Sequence, residues 1–384
     1  MQYRAFGKSG ERVSALGFGC MRLPLTNPAK PESIDIVQVR KMVDYAIEHG
    51  INYYDTAYGY HEQRSEPVMG EILEGLRQKI LLATKLPVWF VNEQKDMERL
   101  LQEQMRRLRT DYLDMYLLHA LNAKSFQSIQ SFDVFSFLDQ KKKEGAIRFA
   151  GFSFHDELPV FKEIIDAYNW DFCQIQLNYM DTNYQAGIEG LHYAASKGIA
   201  VIIMEPLKGG KLSLPPASVW EIFQGSNRVW SPTEWAFRWL GNFKDVHLIL
   251  SGMNNQNQLE ENVKTFDSVK PQQLTEEDLF VVGKVIDALQ SIKSISCTRC
   301  LYCMPCPHGV HIPDNFDVYN SAFLFNQKRD SRITYQKFMA ERKRASSCIA
   351  CGECVPKCPQ QLPIPDLMKD VHDFLSQPIE EKPS

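Results

Sequence analysis

No apolar run of 18 or more residues occurs in this 384-residue sequence, so no helix is expected to cross a bilayer. The chain enters as Met1-Gln-Tyr-Arg-Ala-Phe-Gly-Lys, without the apolar stretch of a secretory signal. An excess of one charge is also missing. Lysine and arginine number 43 against 47 aspartates and glutamates, a formal net charge of −4, which offers no electrostatic footing for nucleic acid. Cysteine is nearly absent before residue 296, where only Cys20 and Cys173 occur, so a disulfide framework is excluded for most of the chain. These absences predict a cytoplasmic protein with no nucleic-acid or membrane partner. Hydrophobic residues, at 44%, are ample for a large core. The length exceeds one ordinary domain and fits a barrel of about 250 residues with an appendage.

Residues 1–14 alternate around Gly7-Lys-Ser-Gly10, a hairpin signal. Strand-like runs follow at about 15–20, 51–55, 80–85, 112–118, 147–152, 172–177, 199–204 and 246–250. Helix-like stretches at about 35–49, 65–77, 95–109, 132–144, 157–168, 186–197, 231–241 and 256–267 interleave with them. Eight strands alternating with eight helices predict an α/β fold, a (β/α)8 TIM barrel over residues 1–270. Residues 207–230, with Pro215, Pro216 and Gly225, read as a long loop over the barrel mouth, a lid on a cofactor. Leu274-Thr-Glu-Glu-Asp-Leu opens a connecting helix with a capping box, over 271–293. Residues 294–384 form a separate, small and mainly helical domain, with helices about Asn315–Asn326 and Thr334–Arg344.

The second strand runs into Asn-Tyr-Tyr-Asp-Thr-Ala-Tyr-Gly-Tyr from Asn52 to Tyr60, which puts Asp55 at a strand end and Tyr60 on the loop beyond. The next two strands stop on Lys85 and His119. Barrel chemistry is placed at such C-terminal strand ends, so these four residues can face one cavity. Singly, each has a plainer reading: a packing tyrosine, a hydrogen-bonded histidine, a buried Asp–Lys pair. Together, Asp55, Tyr60, Lys85 and His119 resemble the catalytic tetrad of the aldo-keto reductases, and the stretch Gly50–Tyr60 resembles that family's signature. The resemblance covers residues 1 to about 270. It implies a base-closing hairpin and reduction of an aldehyde or ketone by NAD(P)H. It also implies that Tyr60 is the proton donor, that Lys85 tunes it with Asp55 as partner, and that His119 orients the substrate carbonyl. The chemistry is reasonable, since a phenol is protonated at neutral pH and a nearby ammonium stabilises the phenolate it leaves.

The remaining strand ends carry polar or glycine-rich loops: Gly151-Phe-Ser-Phe-His155, Met204-Glu-Pro-Leu-Lys-Gly-Gly210 and Ser251-Gly-Met-Asn-Asn255. Gly209, Gly210 and Gly252 permit close backbone approach, and a helix start after Ser251 suits phosphate. The resemblance places the nicotinamide carboxamide at Ser153 and Gln174, and the adenine side at Glu261 and Asn262. Two positions depart from the family pattern: Phe154 stands where an asparagine is usual, and Met204 where an aromatic ring stacks on the nicotinamide. The positions that usually grip a 2′-phosphate are Gly252 and Gln258. No lysine or arginine occurs between Lys244 and Lys264, which predicts no strong preference for NADP and a lean towards NAD.

After residue 296 the pattern changes. Cys297-x2-Cys300-x2-Cys303-x2-Cys306-Pro307 is followed by Cys348-x2-Cys351-x2-Cys354-x3-Cys358-Pro359. The second is the bacterial ferredoxin run, and the first is one residue shorter before its last cysteine. Paired zinc knuckles need neither the third cysteine nor the Cys-Pro ending. Two 4Fe-4S clusters are therefore expected. In two-cluster ferredoxins the fourth cysteine of each run serves the other cluster. On that pattern Cys297, Cys300, Cys303 and Cys358 hold one cluster, and Cys348, Cys351, Cys354 and Cys306 the other. His308 and His311 read as neighbours rather than ligands.

The expectation is a carbonyl-reducing oxidoreductase with a fused iron–sulfur module that offers a site to a redox partner protein. Two alternatives remain: a redox-responsive nicotinamide-binding regulator, and a ferredoxin-coupled electron-transfer protein. The last faces a mismatch of electron counts. Clusters pass single electrons, nicotinamide gives two as hydride, and no flavin motif is visible to bridge them.

Overall fold

The computed structural model describes residues 1–28, 30–325 and 327–379. Ten strands are present among them: β1 Tyr3–Ala5, β2 Arg12–Ser14, β3 Leu16–Gly19, β4 Tyr53–Asp55, β5 Leu81–Leu86, β6 Leu113–Leu121, β7 Ile147–Phe154, β8 Phe172–Gln176, β9 Ala200–Met204 and β10 Leu248–Ser251. Strands β3 to β10 pair in parallel and in chain order, and β10 closes onto β3 through Ile249 opposite Leu16. The eight strands are those expected from the sequence. Their interior side chains form a layered apolar core from Tyr53, Leu81, Ala83, Met115, Leu117, Phe172, Ala200, Ile202 and Leu248.

The antiparallel hairpin β1–β2 plugs the N-terminal end of this core with Phe6 and Val13, both fully buried. Its turn requires glycine at position 7. Gly7 has φ +54, and a Cβ there would meet the Gly198 carbonyl oxygen at 2.8 Å.

Two compact units emerge. One comprises Met1–Pro206 with Ala236–Leu274, and the other Leu207–Trp235 with the chain from Thr275 onward. Residues 207–230 are not the loop expected. Lys208–Gly210 is a 3-10 turn and Ala217–Gln224 is a helix that buries Val219 and Phe223 against the helix Glu276–Gln290. Eight residues with two buried apolar positions one turn apart are too short for the helical period to stand out. The segment is tied into the second unit by Arg228, whose guanidinium donates to both Asp278 oxygens at 2.8 and 2.7 Å. Asp278 also completes the expected capping box with Thr275.

The rest of the second unit is built on the helices Ile312–Leu324 and Ile364–Leu375, whose Phe316, Tyr319, Met368 and Val371 share a core with Ile295 and Tyr335. The expected helix 315–326 starts earlier, with a proline in its first turn, and its expected last residue, Asn326, lies outside the described residues. The expected helix 334–344 is instead the helix Lys328–Ile333 running into a π-turn Thr334–Phe338, then a separate turn Glu341–Lys343. The cause is a break at Met339 and Ala340, both in extended backbone, with the Arg344 guanidinium taking the Gln336 and Met339 carbonyls. Helices Ala123–Gln130 and Ile364–Leu375 were not expected. Among the described residues no helix is long and apolar enough to cross a membrane.

Candidate active site

Asp55 ends β4, Lys85 is the penultimate residue of β5, and His119 lies near the end of β6. Parallel pairing sets Asp55 beside Ala83 and Lys85 beside Leu117, so neighbouring strand ends present the three side chains at one end of the barrel. Tyr60 reaches in from the loop after β4. All four are buried, Lys85 completely. The Lys85 ammonium donates to Asp55 Oδ1 at 2.6 Å, to the Thr56 carbonyl at 2.8 Å and to the Tyr60 phenol oxygen at 3.4 Å. The His119 ring stands edge-on to the Tyr60 ring, 6.1 Å between centroids. The half-exposed Trp89 ring also packs on His119, 5.0 Å between centroids.

Electrostatics differentiate these groups. Burial pushes the Asp55 carboxyl up, opposed by the charge and hydrogen bond of Lys85. Burial, and then the Lys85 charge and His155, hold the His119 imidazole well below its ordinary value, so it is neutral at pH 7. His155, the residue after β7, is likewise lowered by burial to about 4.

Lys85 is held from behind by a polar network that sequence reasoning missed. Buried Glu66 accepts from Thr84 Oγ1 and Gln104 Nε2, both at 2.7 Å, and from Arg107 at 3.3 Å. Gln104 also donates to the Lys85 carbonyl at 2.9 Å and accepts from the Tyr116 hydroxyl at 3.0 Å. A buried carboxylate persists only with such partners. A glutamate and a glutamine on separate helices carry no joint signal in the sequence.

The residues expected at the nicotinamide are brought to adjacent strands. Ser153 pairs with Gln174 across β7 and β8. Ser153 Oγ accepts from the Ala120 amide at 2.8 Å. Gln174 directs Nε2 to Met204 Sδ at 3.6 Å, while its Oε1 is buried and takes no hydrogen bond among the described residues. Phe154 is fully buried and packs edge-on to Phe161, 5.1 Å between centroids.

On the far side of the barrel closure, Ser251 Oγ accepts from Asn262 Nδ2 at 3.1 Å. The helix Gln256–Phe266 begins just after β10, with Asn255 capping the Gln258 amide; Gln258 and Glu261 are exposed. Gly252 lies against the stem of Arg22, whose Cβ, Cγ and Cδ stand 3.3 to 3.4 Å from where a Cβ would be. A cation thus reaches the loop after β10 from the other end of the sequence. Gly209 and Gly210 lie in the second unit, both with positive φ, and a Cβ on Gly209 would meet the Thr298 carbonyl oxygen at 2.7 Å.

The eight tail cysteines surround two cavities. One, about 320 Å³ including its opening to solvent, is lined by Cys297, Cys300, Cys303 and Cys358. The other, about 430 Å³ on the same measure, is lined by Cys306, Cys348, Cys351 and Cys354, with Cys303 on the wall between. Charge couplings divide the thiols in the same way. Burial, then Cys300, Cys297 and Cys358, push Cys303 up to about 12, and Cys354 is raised by burial and then by Cys348, Cys351 and Cys306. His308 lines the second cavity, and His311 pairs with Asp314 at 2.9 Å. Among the described residues no three His, Cys, Asp or Glu side chains close around a single metal ion.

Residues 15–278 match the aldo/keto reductase family, and residues 296–362 match the 4Fe-4S dicluster domain. L-galactose dehydrogenase of Arabidopsis thaliana is 26% identical over 313 residues, which span 76% of this chain and 96% of that protein. The uncharacterized oxidoreductase YqkF of Bacillus subtilis is 30% identical over 227 residues, 56% of this chain and 68% of its own. The holo form of the aldo-keto reductase AKR11C1 from Bacillus halodurans superposes with a TM-score of 0.63 at 26% identity, covering 74% of this chain and 96% of that one. With its closed parallel barrel and its cysteine-lined second unit, this chain belongs to the aldo/keto reductase family of oxidoreductases and carries a 4Fe-4S domain after the barrel in sequence.

Proposed function

We propose that this protein reduces an aldehyde or ketone at the expense of NAD(P)H, with Tyr60 as the general acid. The observation that carries the reading is the position of the Lys85 ammonium, donating to both Asp55 and the Tyr60 phenol in a buried site. NAD(P)H supplies the hydride. Tyr60 gives its proton to the carbonyl oxygen as charge develops there, and Lys85 stabilises the phenolate left behind. Asp55 holds Lys85 in place and balances its charge. Neutral His119 offers a hydrogen bond that orients the carbonyl without adding a second cation beside Lys85. Trp89 gives the substrate an apolar wall beside His119.

The chain fits the dinucleotide at one telling point: the buried Gln174 Oε1 is an acceptor still open to the carboxamide N–H. Ser153 would share that group and Met204 would pack on the ring face. Ser251, Gly252, Gln258, Glu261 and Asn262 would hold the phosphates and adenosine.

The two cysteine-lined cavities fit two 4Fe-4S clusters. Cys297, Cys300, Cys303 and Cys358 would hold one, and Cys348, Cys351, Cys354 and Cys306 the other. Such clusters pass single electrons, which gives the domain a use for a redox partner protein in a reducing, cytoplasmic setting. The test is anaerobic purification with iron and sulfide quantified, then a panel of aldehydes and ketones with NADH and NADPH. Nicotinamide binding without turnover of any carbonyl would favour a regulator and overturn the enzyme reading.

A further inference from the structure

The cavity lined by Cys306, Cys348, Cys351 and Cys354 lies near the surface, because Cys351 is exposed. Its rim has a distinct chemistry. Ile349, which lines the cavity, is 64% exposed, and Phe338, three residues before the turn that borders it, is 79% exposed. Between them in sequence, the turn Glu341–Lys343 folds back onto the cavity wall. The His311 amide donates to the Lys343 carbonyl at 3.1 Å, the Arg342 carbonyl lies against Gly309, and Ser347 Oγ donates to the Glu341 carbonyl at 3.0 Å. This fixes Arg342 and Lys343 beside Gly309 and His311, which follow the cavity-lining Pro307 and His308 in sequence.

Arg342, Lys343, Lys337 and Lys357 are all exposed, and none pairs with a carboxylate among the described residues. Glu341 and Glu353 are the acidic residues set among them. The chain as a whole is slightly acidic, so this concentration of unpaired cations is local rather than a general property.

We propose that this face is a docking surface for an acidic one-electron carrier protein. The proposal rests on the reading of the cavity as a redox-active cluster site. An apolar centre rimmed by unpaired cations is the complement of a carrier with carboxylates around its own redox centre, and such pairing steers encounter more than it adds affinity. Cys351 is the cysteine of this cavity that is exposed at the face. Docked here, a reduced carrier would give up one electron and a 4Fe-4S cluster held by these cysteines would take it up, so that the carrier would be oxidised and the cluster reduced by one electron with no bond broken and no proton moved.

The test uses the anaerobically purified full-length holoprotein and a reduced acidic 2Fe-2S ferredoxin as probe. Three quantities are read: the second-order rate of cluster bleaching, the Kd for the oxidised ferredoxin, and bleaching by dithionite. Wild type should slow at least about tenfold between 20 mM and 300 mM salt, as screening of opposite charges requires. The double variant Arg342→Glu/Lys343→Glu should slow and bind more weakly by roughly the same factor at low salt, and Phe338→Ser should weaken binding with little salt dependence. Dithionite bleaching and NAD(P)H-dependent carbonyl reduction should not change.

Clusters that dithionite cannot reduce would sink the redox reading and the docking surface with it. Clusters that dithionite does reduce, with ferredoxin rates indifferent to salt in wild type, would overturn the docking surface alone. So would capture by anionic phospholipid vesicles that Arg342→Glu/Lys343→Glu abolishes while ferredoxin rates stay unchanged.

Discussion

The Lys85 ammonium and the Tyr60 phenol oxygen stand 3.4 Å apart, with the lysine as donor and its remaining bonds committed to Asp55 and the Thr56 carbonyl. An ammonium so held cannot turn away, and it faces the atom from which the proton would leave. Tyr60→Phe keeps the ring that packs against His119 and deletes only that atom. Carbonyl turnover is expected to fall by roughly 100-fold or more, the usual scale for general acid catalysis. The Kd for NADH should change little. Near-normal kcat in this variant would remove Tyr60 from its assigned part.

A second expectation concerns pH. The His119 pKa is held well below 6.5, so the imidazole is neutral through the ordinary assay range and gains its proton only under more acid conditions. The kcat/KM profile should therefore be flat from about pH 6 to pH 7.5, without the fall on acidification that an unperturbed histidine would produce near pH 6.5. A limb centred near 6.5 that His119→Gln abolishes would contradict the assignment.

Cys351→Ser removes one thiolate from the more exposed cavity. Iron should drop by about one cluster's share per chain. The second unit should also lose stability, because its core is interwoven with Cys297, Cys306, Cys348, Cys354 and Cys358 and a module of that size leans on its metal. Barrel residues have a separate core, and nicotinamide binding should survive. Full iron and sulfide content in the purified variant would refute the ligand assignment.

The choice of nicotinamide is open to a direct measurement. No lysine or arginine lies between Lys244 and Lys264, but the fold brings the stem of Arg22 against Gly252. One half-buried guanidinium in place of the usual pair should leave the Kd values for NADH and NADPH within tenfold of each other. Arg22→Ala should then shift their ratio towards NADH by roughly fivefold, about 1 kcal/mol for one partly solvated ion pair. An advantage of tenfold or more for NADPH in the wild type, at matched ionic strength, would show that the grip is stronger than these residues allow.

All eight barrel strands were legible because each is an apolar run cut off by turn residues or by an ionisable side chain, as with Lys85 on β5. The short helices Ala123–Gln130 and Ala217–Gln224 were not, since eight residues hold barely two turns of the period. Contacts between distant segments were harder still. Arg22 and Gly252 are neighbours only because β10 closes onto β3, and Glu66 meets Gln104 only because two barrel helices pack side by side. The grouping of the cysteines around two cavities, with Cys358 beside the first run and Cys306 beside the second, matches the division that the ferredoxin spacing suggests. The glycine at 209 illustrates the opposite case. Its small size is explained by the Thr298 backbone, which no local pattern foretells.

The division of the second unit into two stretches sets an order of events during synthesis. Residues 207–235 leave the ribosome before any of the chain from Thr275 onward exists, and translation proceeds at about 5–20 residues per second. Until then Arg228 has no Asp278 to hold, and the apolar face of the helix Ala217–Gln224 has no helix Glu276–Gln290 to cover it. That segment waits for the last quarter of the chain. A premature stop just before the cysteines would still supply Asp278, whereas one before Thr275 would strand Val219 and Phe223 in water, so nascent chains of those two lengths should differ sharply in their demand for chaperones.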